Sequence, residues 1–499
     1  MLIDVTVGAI QDQAAQAIVV NLFEGVTEPG GATGAVDAAL GGQIRALIAG
    51  GDFRGKRNEV AVLYPHDALP AQRVILVGLG KAEKFSLDVA RQAAGTAAAK
   101  ARDLGVTHLH TIVHGAGIGG CDPEQAAQAL VEGTLLALYR FEELKTQDLA
   151  DRHLDALTLV EFDAERADAL QTGARVGQAM AEGAMVARNL VNRPANVATP
   201  YHLAQQAEKI AAETGLDVQI IEEDELEEMG MHSFLSVSHG GGEPPCLIVL
   251  EHNAGRKDLP TVALVGKGIT FDTGGISLKP SAKMELMKGD MGGAAAVIGA
   301  MQAVAQLELP LHVVGIVPAT ENMPDAHATK PGDVVFSLKG ITIEIINTDA
   351  EGRLILADGI TYADTFAPDA IIDIATLTGG RVVALGAHAA AVMGDAGLVA
   401  RLQAAGEATR ERVWELPLFE EYGEQLKSQV ADVKNVGGRE GSSITAGFFL
   451  SKFVCNDTPW CHIDIAGLDQ SDKAAPYAPK GATGYGARLL VETLRRWDA

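Results

Sequence analysis

Two short stretches of the chain gather four carboxylates and three cations, the residue types that could do chemistry together. In the first, the apolar run Val262-Ala263-Leu264-Val265 leads into Gly266-Lys267-Gly268-Ile269-Thr270-Phe271-Asp272-Thr273-Gly274-Gly275, with Lys279 and Asp290 further on. In the second, an apolar-polar run at 341–346 leads into Asn347-Thr348-Asp349-Ala350-Glu351-Gly352-Arg353-Leu354. Each reads as a strand followed by a glycine-rich loop, and in open α/β sheets functional groups collect beyond the carboxyl ends of strands. Asp349 and Glu351 stand two residues apart just after a strand and are expected to share one face. Asp272, Asp290, Asp349 and Glu351 carry a formal −4, which two divalent ions balance. Hard cations need oxygen ligands, and such ions explain why like charges are gathered. Lys279 and Arg353 are then left to face negative charge that develops during reaction. Any one of these residues alone reads as a solvated loop side chain; together at two strand ends they read as a di-metal site.

The elements that must position these groups are visible as apolar runs. Strands are expected at 218–221, 246–250, 262–265, 312–317, 341–346 and 370–374, with helices such as 292–307 between them. That alternation predicts a largely buried sheet with helices on both faces. Earlier strand patterns at 17–22, 59–63, 74–77, 108–114 and 157–162, with an alanine-rich helix at 87–103, make a separate α/β body. Between the two, small and apolar residues at Leu170, Ala174, Gly177, Ala181, Ala184 and Ala187 form a flat stripe suited to one long helix laid across two bodies. Asn192-Arg193-Pro194 ends that helix, because proline cannot continue the ladder. The expected fold is α/β in two domains: a smaller N-terminal α/β domain at 1–162, a linker helix at 163–190, and a larger C-terminal catalytic domain at 191–499 with a mixed central sheet flanked by helices.

The 499 residues are 47% apolar and 21% charged, which suits a globular protein and excludes disordered and fibrous classes. Acids outnumber bases by 65 to 40, a formal charge of −25. Such a balance repels phosphate backbones and anionic lipid, so neither nucleic acid nor membrane is an expected partner. Four scattered cysteines, none in a CxxC pair, fit a reducing compartment. The N-terminus lacks a basic stretch followed by an apolar run, and no stretch reaches the roughly 20 apolar residues of a membrane span. A cytoplasmic location is expected.

Rival motifs are weaker. Gly78-Leu79-Gly80 follows a strand but has Glu83 where a dinucleotide fingerprint needs its third glycine, and reads as a tight strand-end turn. His110 and His114 have the i, i+4 spacing of a zinc pair but lie in a β-like run that would spread them apart. His239-Gly240-Gly241-Gly242 reads as a loop where two backbones pass closely. A Gly-x-Ser-x-Gly nucleophile elbow is absent from the sequence.

The stretches around Asp272 and Asp349 resemble the two signature stretches of the leucyl (cytosol) aminopeptidase family, and the octapeptide around Asp349 is highly specific to it. The resemblance continues through Glu321-Asn322-Met323-Pro324, Ala375-Thr376-Leu377-Thr378-Gly379 and Trp460-Cys461-His462-Ile463-Asp464-Ile465-Ala466-Gly467. It runs from about Asn189 to the C-terminus; the part before it matches only loosely. What the resemblance implies is a metal-dependent aminopeptidase that releases N-terminal leucine and other apolar residues from peptides. Lys267, Asp272, Asp290, Asp349 and Glu351 would hold two divalent ions, Mn²⁺ or Zn²⁺, with Asp272 and Glu351 bridging both. Lys279 and Arg353 would be catalytic, Arg353 holding a bicarbonate ion as the base. Met287, Thr376, Leu377 and Gly379 would line the pocket for the first side chain, and the assembly would be a homohexamer. A lysine ligand must bind as the neutral amine, since ammonium has no lone pair. Two other readings fit the residues: a two-metal phosphoesterase, because carboxylate-bridged metal pairs also serve phosphoryl displacement, and a non-enzymatic DNA-binding or scaffolding protein on the same fold.

Overall fold

Apolar runs without polar alternation become buried central strands. In the computed structural model, which describes residues 1–117 and 119–497, the chain divides into two units. One comprises Met1–Glu182 with Lys473–Pro479, the other Gly183–Asp472 with Lys480–Ala499. The first unit is a six-stranded sheet of β1 (Leu2–Val7), β2 (Ala17–Phe23), β3 (Val60–Leu63), β4 (Val74–Gly80), β5 (His108–Ile112) and β6 (Ala156–Glu161). The order is β1-β6-β5-β2-β4-β3. Only β3 runs antiparallel to its neighbour. Helices α1 (Gly31–Ala39), α2 (Gln43–Gly50), α3 (Leu87–Asp103) and α4 (Pro123–Leu138) lie between the strands in the chain.

Two expectations for this unit change. The edge strand β1 went unread because it alternates exposed and half-buried residues and has no apolar run. Gly78-Leu79-Gly80 is no turn; it completes β4 and pairs with β2 through a register shift. Glycine is needed at 78 because a Cβ there would stand 2.0 Å from the Lys56 carbonyl oxygen. The helix expected at 163–190 appears as a single turn at Ala164–Arg166 and then α5 (Ala167–Asn192), and the boundary between the units falls inside α5.

His110 and His114 do not form a metal pair: His110 lies within β5, and the fully buried His114 accepts a hydrogen bond from Asn21 Nδ2 at its Nδ1, 2.9 Å away. Burial pushes the His114 pKa down to about 4. Since the unfolded chain protonates near 6.5, the neutral ring's contribution is complete above that pH and is lost as pH falls toward 4. A gap of that size is worth about 3 kcal/mol. Amide exchange of peptides from β2 and β5 should therefore accelerate steeply between pH 6.5 and 4.5, after correction for intrinsic rates. His114→Gln, which retains an acceptor and does not titrate, should flatten that dependence; an unchanged slope would rule the residue out.

The second unit begins with α5's last turns and α6 (Pro200–Thr214), β7 (Asp217–Glu222), α7 (Glu223–Met229) and α8 (His232–Ser238). A mixed sheet follows from β8 (Cys246–His252), β9 (Thr261–Gly266), β10 (Gly268–Asp272) and β11 (His312–Asn322), with α9 (Gly292–Leu307) before β11. After β12 (Val334–Phe336) and β13 (Thr342–Glu344) come α10 (Gly352–Ala363), β14 (Ala370–Ala375), α11 (Gly379–Leu385), β15 (Ala390–Gly394), β16 (Val413–Glu415), β17 (Val433–Lys434) and β18 (Trp460–Asp464). The main sheet runs β16-β15-β18-β14-β9-β11-β8-β7, with β10 paired to β11. Strands β18, β14, β9, β11 and β10 are mutually parallel, so their carboxyl ends open along one edge. The run at 341–346 does not join this sheet. Only Ile343 and Ile345 are buried there, too little for a strand covered on both faces, and β13 sits in a small separate sheet with β12 and β17. The His239–Gly242 loop does pass a neighbouring backbone closely: a Cβ on Gly240 would lie 2.0 Å from the Met323 carbonyl oxygen.

Candidate metal centre

Lys267 interrupts the run from β9 into β10, and its backbone is fixed on both sides, its N–H donating to the Ile374 carbonyl at 3.1 Å and its own carbonyl accepting from Ala294 N–H at 2.8 Å. Its side chain passes under the first turn of α10. This works because Gly352 has no Cβ; one there would stand 2.8 Å from Nζ. Asp272 ends β10. Asp290 caps the short 3-10 helix Met284–Gly289 just ahead of α9. Asp349 and Glu351 share the site, but not through strand alternation: Asp349 lies in a turn, its N–H donating to Asn347 Oδ1 at 2.9 Å, and Glu351 is the N-cap of α10.

The two lysines sit between carboxylates. Lys267 Nζ lies 2.7 Å from Asp290 Oδ2, 2.8 Å from Glu351 Oε1 and 3.0 Å from the Thr376 carbonyl. Lys279 Nζ lies 2.6 Å from Asp272 Oδ2 and also contacts Asp349 Oδ1. Burial alone would lower the pKa of either lysine, but Asp290, Glu351 and Asp272 outweigh it and hold both ammonium groups up. Burial, reinforced by the other acids, pushes Asp272 and Asp290 up, Asp290 the further of the two; burial likewise raises Asp349. Four acids against two lysines leave the cluster short of positive charge. Asp272, Asp290 and Glu351 each offer an oxygen, all within 4.8 Å of one another. Glu351 Oε2 is buried and accepts no hydrogen bond. Crowded hard oxygens, an orphaned lone pair and a surplus of negative charge fit a divalent cation.

Arg353, in the first turn of α10, is buried with its Nε unpaired, and burial lowers its pKa to about 10. Its Nη1 donates to the Asn435 carbonyl at 2.8 Å. Asn435 also clamps the loop before Asp349. Its Oδ1 accepts from Ile346 N–H at 2.9 Å, and its Nδ2 donates to the Asn347 carbonyl at 2.7 Å. Asn322, at the end of β11, ties the two motif stretches together, donating from Nδ2 to Asp272 Oδ1 at 2.8 Å and to the Thr348 carbonyl at 3.0 Å.

All of these charged residues open on a cavity of about 840 Å³. Met287, Thr376, Leu377 and Gly379 line it as well. Its far wall is held by Asp464, fully buried, which accepts from Leu377 N–H at 3.1 Å, from Thr378 N–H at 3.3 Å and from Thr378 Oγ1 at 2.6 Å. Asp469 adds a buried carboxylate to the same lining, raised by burial to about 6. Asn322, Asn435, Asp464 and Asp469 went unassigned from sequence. Asn322 and Asp464 lie inside stretches that carry the family resemblance; Asn435 and Asp469 have no local pattern to mark them.

The matches to known proteins agree with one another. Residues 185–491 match the cytosol aminopeptidase family catalytic domain and residues 19–148 its N-terminal domain. A probable cytosol aminopeptidase of Geotalea uraniireducens is 48% identical over 467 residues, 92% of each chain. That of Roseiflexus castenholzii is 44% identical, covering 100% of this chain and 99% of its own. Among solved structures, the bottromycin maturation enzyme BotP in complex with Mn is 35% identical with a TM-score of 0.86, covering 97% of this chain and 100% of its own. A tomato leucine aminopeptidase mutant is 32% identical with a TM-score of 0.88, covering 99% of this chain and 96% of its own. Fold and carboxylate cluster together define a metal-dependent hydrolase. The chain belongs to the cytosol aminopeptidase family.

Proposed function

We propose that this aminopeptidase releases leucine and other apolar residues from the N-termini of peptides, and that Lys267, Asp272, Asp290, Asp349 and Glu351 would hold two divalent ions, Mn²⁺ or Zn²⁺. The observation that carries the reading is the trio of buried carboxylate oxygens within 4.8 Å, with Asp290 Oδ2 and Glu351 Oε2 accepting no hydrogen bond, at the wall of a large cavity. When bound, the ions supply Lewis-acid polarisation of the scissile carbonyl and activation of a water. Lys267, held as an ammonium by Asp290 and Glu351 while those acids carry no cation, would become a ligand through its neutral amine once a dication took up their charge. Lys279, between Asp272 and Asp349 and partly open to the cavity, stabilises the oxyanion as the carbonyl carbon becomes tetrahedral. Arg353, its Nη1 anchored by the Asn435 carbonyl, is the residue that would hold a bicarbonate ion, which would supply a general base. Met287, Thr376, Leu377 and Gly379 enclose the first side chain and exclude water from it.

The name of the curated relatives supports a cytoplasmic location, and the family resemblance supports a homohexamer. Among the described residues no helix is long and apolar enough to cross a membrane. The deciding assay is p-nitroaniline release from leucine p-nitroanilide. Activity is expected in the metal-loaded protein, is expected to vanish with chelator, and should return with Mn²⁺. A metal-loaded protein that leaves the amide intact would defeat the proposal.

A further inference from the structure

We infer that the N-terminal unit carries a second, non-catalytic binding site that takes a phosphorylated nucleoside. A cavity of about 510 Å³, lined wholly by residues of this unit, opens at the carboxyl ends of β2, β5 and β6. That volume lies within the range of small-molecule sites, roughly 300–1,000 Å³. Its place in the sheet is telling. From β2 the chain moves outward to β3 and β4, then crosses back to β5 on the other side of β2. Where connections part in this way, a crevice opens at the strand ends, and α/β sheets hold their ligands there.

The lining has two characters. Ile10, Val26, Leu79 and Ile112 give an apolar wall on which a base can lie. The lining also includes two bare backbone segments, one around Gly30 and Gly31 at the start of α1, the other around Gly115 and Gly117 after β5. Gly115 has an internal reason to be glycine, with φ +99 and the Phe85 ring 2.7 Å from any Cβ. Gly30 and Gly117 have none. Gly30 is extended at φ −113, Gly117 lies outside the left-handed region, and a Cβ on either would meet nothing within 4 Å. Both instead face the cavity, where a missing side chain lets an anion approach main-chain N–H groups. No side chain caps the first turn of α1, which carries no acid. Among the described lining residues Arg166 is the one cation, its Nη1 donating to the Ala116 carbonyl at 2.9 Å and its Nε paired with Asp163 at 3.3 Å, which leaves the anion to the main-chain N–H groups. Glu161, the one acid, suits a ribose hydroxyl. The phosphate thus goes to the glycine segments, and the Gly78-Leu79-Gly80 motif contributes only Leu79 to the apolar wall.

The test is calorimetric titration of the full-length, metal-loaded protein with ADP, adenosine and inorganic phosphate, repeated on Gly117→Leu and Gly30→Leu. Each leucine enters open space, so two variants guard against one that fails to fold. One ADP per chain is expected, with adenosine and phosphate each bound at least tenfold more weakly. Both variants should weaken ADP at least tenfold while hydrolysis of leucine p-nitroanilide persists. The inference is overturned by no binding up to about 1 mM ADP, a weak-ligand limit near 4 kcal/mol, or by adenosine binding as tightly as ADP. ADP binding that neither variant disturbs would also overturn it, since the nucleotide would then sit elsewhere.

Discussion

Glu351→Gln lowers kcat/KM for leucine p-nitroanilide by about 10³-fold, some 4 kcal/mol of transition-state stabilisation, and divalent-metal content falls with it. The amide keeps the size of the carboxylate and removes its charge. Glu351 pairs with Lys267 Nζ at 2.8 Å through Oε1, keeps Oε2 without a hydrogen-bond partner, and has an oxygen within 4.8 Å of oxygens of Asp272 and Asp290. Asp290 Oδ2, the other buried carboxylate oxygen of the cluster without a hydrogen-bond partner, is the one that Lys267 already faces at 2.7 Å, whereas Glu351 Oε2 is not the oxygen paired with that lysine. Metal analysis by mass spectrometry alongside steady-state kinetics checks the outcome. Wild-type metal content with wild-type activity would remove Glu351 from the ligand set.

Lys279→Met gives the opposite pattern: metal content stays near wild type, KM changes little and kcat falls by about 10²–10³, the usual cost of losing one oxyanion donor. The methionine matches the stem of the side chain but carries no charge. Without the ammonium, Asp272 and Asp349 have more negative charge to offer a cation, so metal retention is the natural companion of lost turnover. If activity and metal disappear in proportion, Lys279 supports the cluster instead of acting on substrate.

What was legible in the sequence follows from where the information is local. The run 262–265 is apolar throughout and the helix at 292–307 nearly so, Gln302 and Gln306 being its polar residues, and they appear as β9 and α9. The glycine-rich string after β9 concealed β10, since that strand draws its pairing from β11, some fifty residues away. The opposite error occurred at 341–346, where a short apolar-polar run looked like a member of the main sheet although only a minor sheet receives it. Acidic residues crowded into motif stretches announced themselves. Asn435 did not, because a single amide 88 residues from Asn347 in the loop it clamps shows nothing until the chain folds. Asp469 was equally silent: a lone acid in a loop acquires meaning only when burial brings it to the cavity wall.

The bonds from Asn322 and Asn435 that tie the motif stretches in register come from carboxamides, which neither gain nor lose a proton across the range in which proteins stay folded. Ser277 and Thr348 add hydroxyl links of the same neutral kind. Apart from the bond that Asn322 makes to the Asp272 carboxylate, the frame is therefore deaf to acidity and to ionic strength, while the charged groups it aims at the cavity respond to both. An engineer seeking to move the working range of the catalyst can retune the charged groups one at a time and expect the scaffold beneath them to hold still.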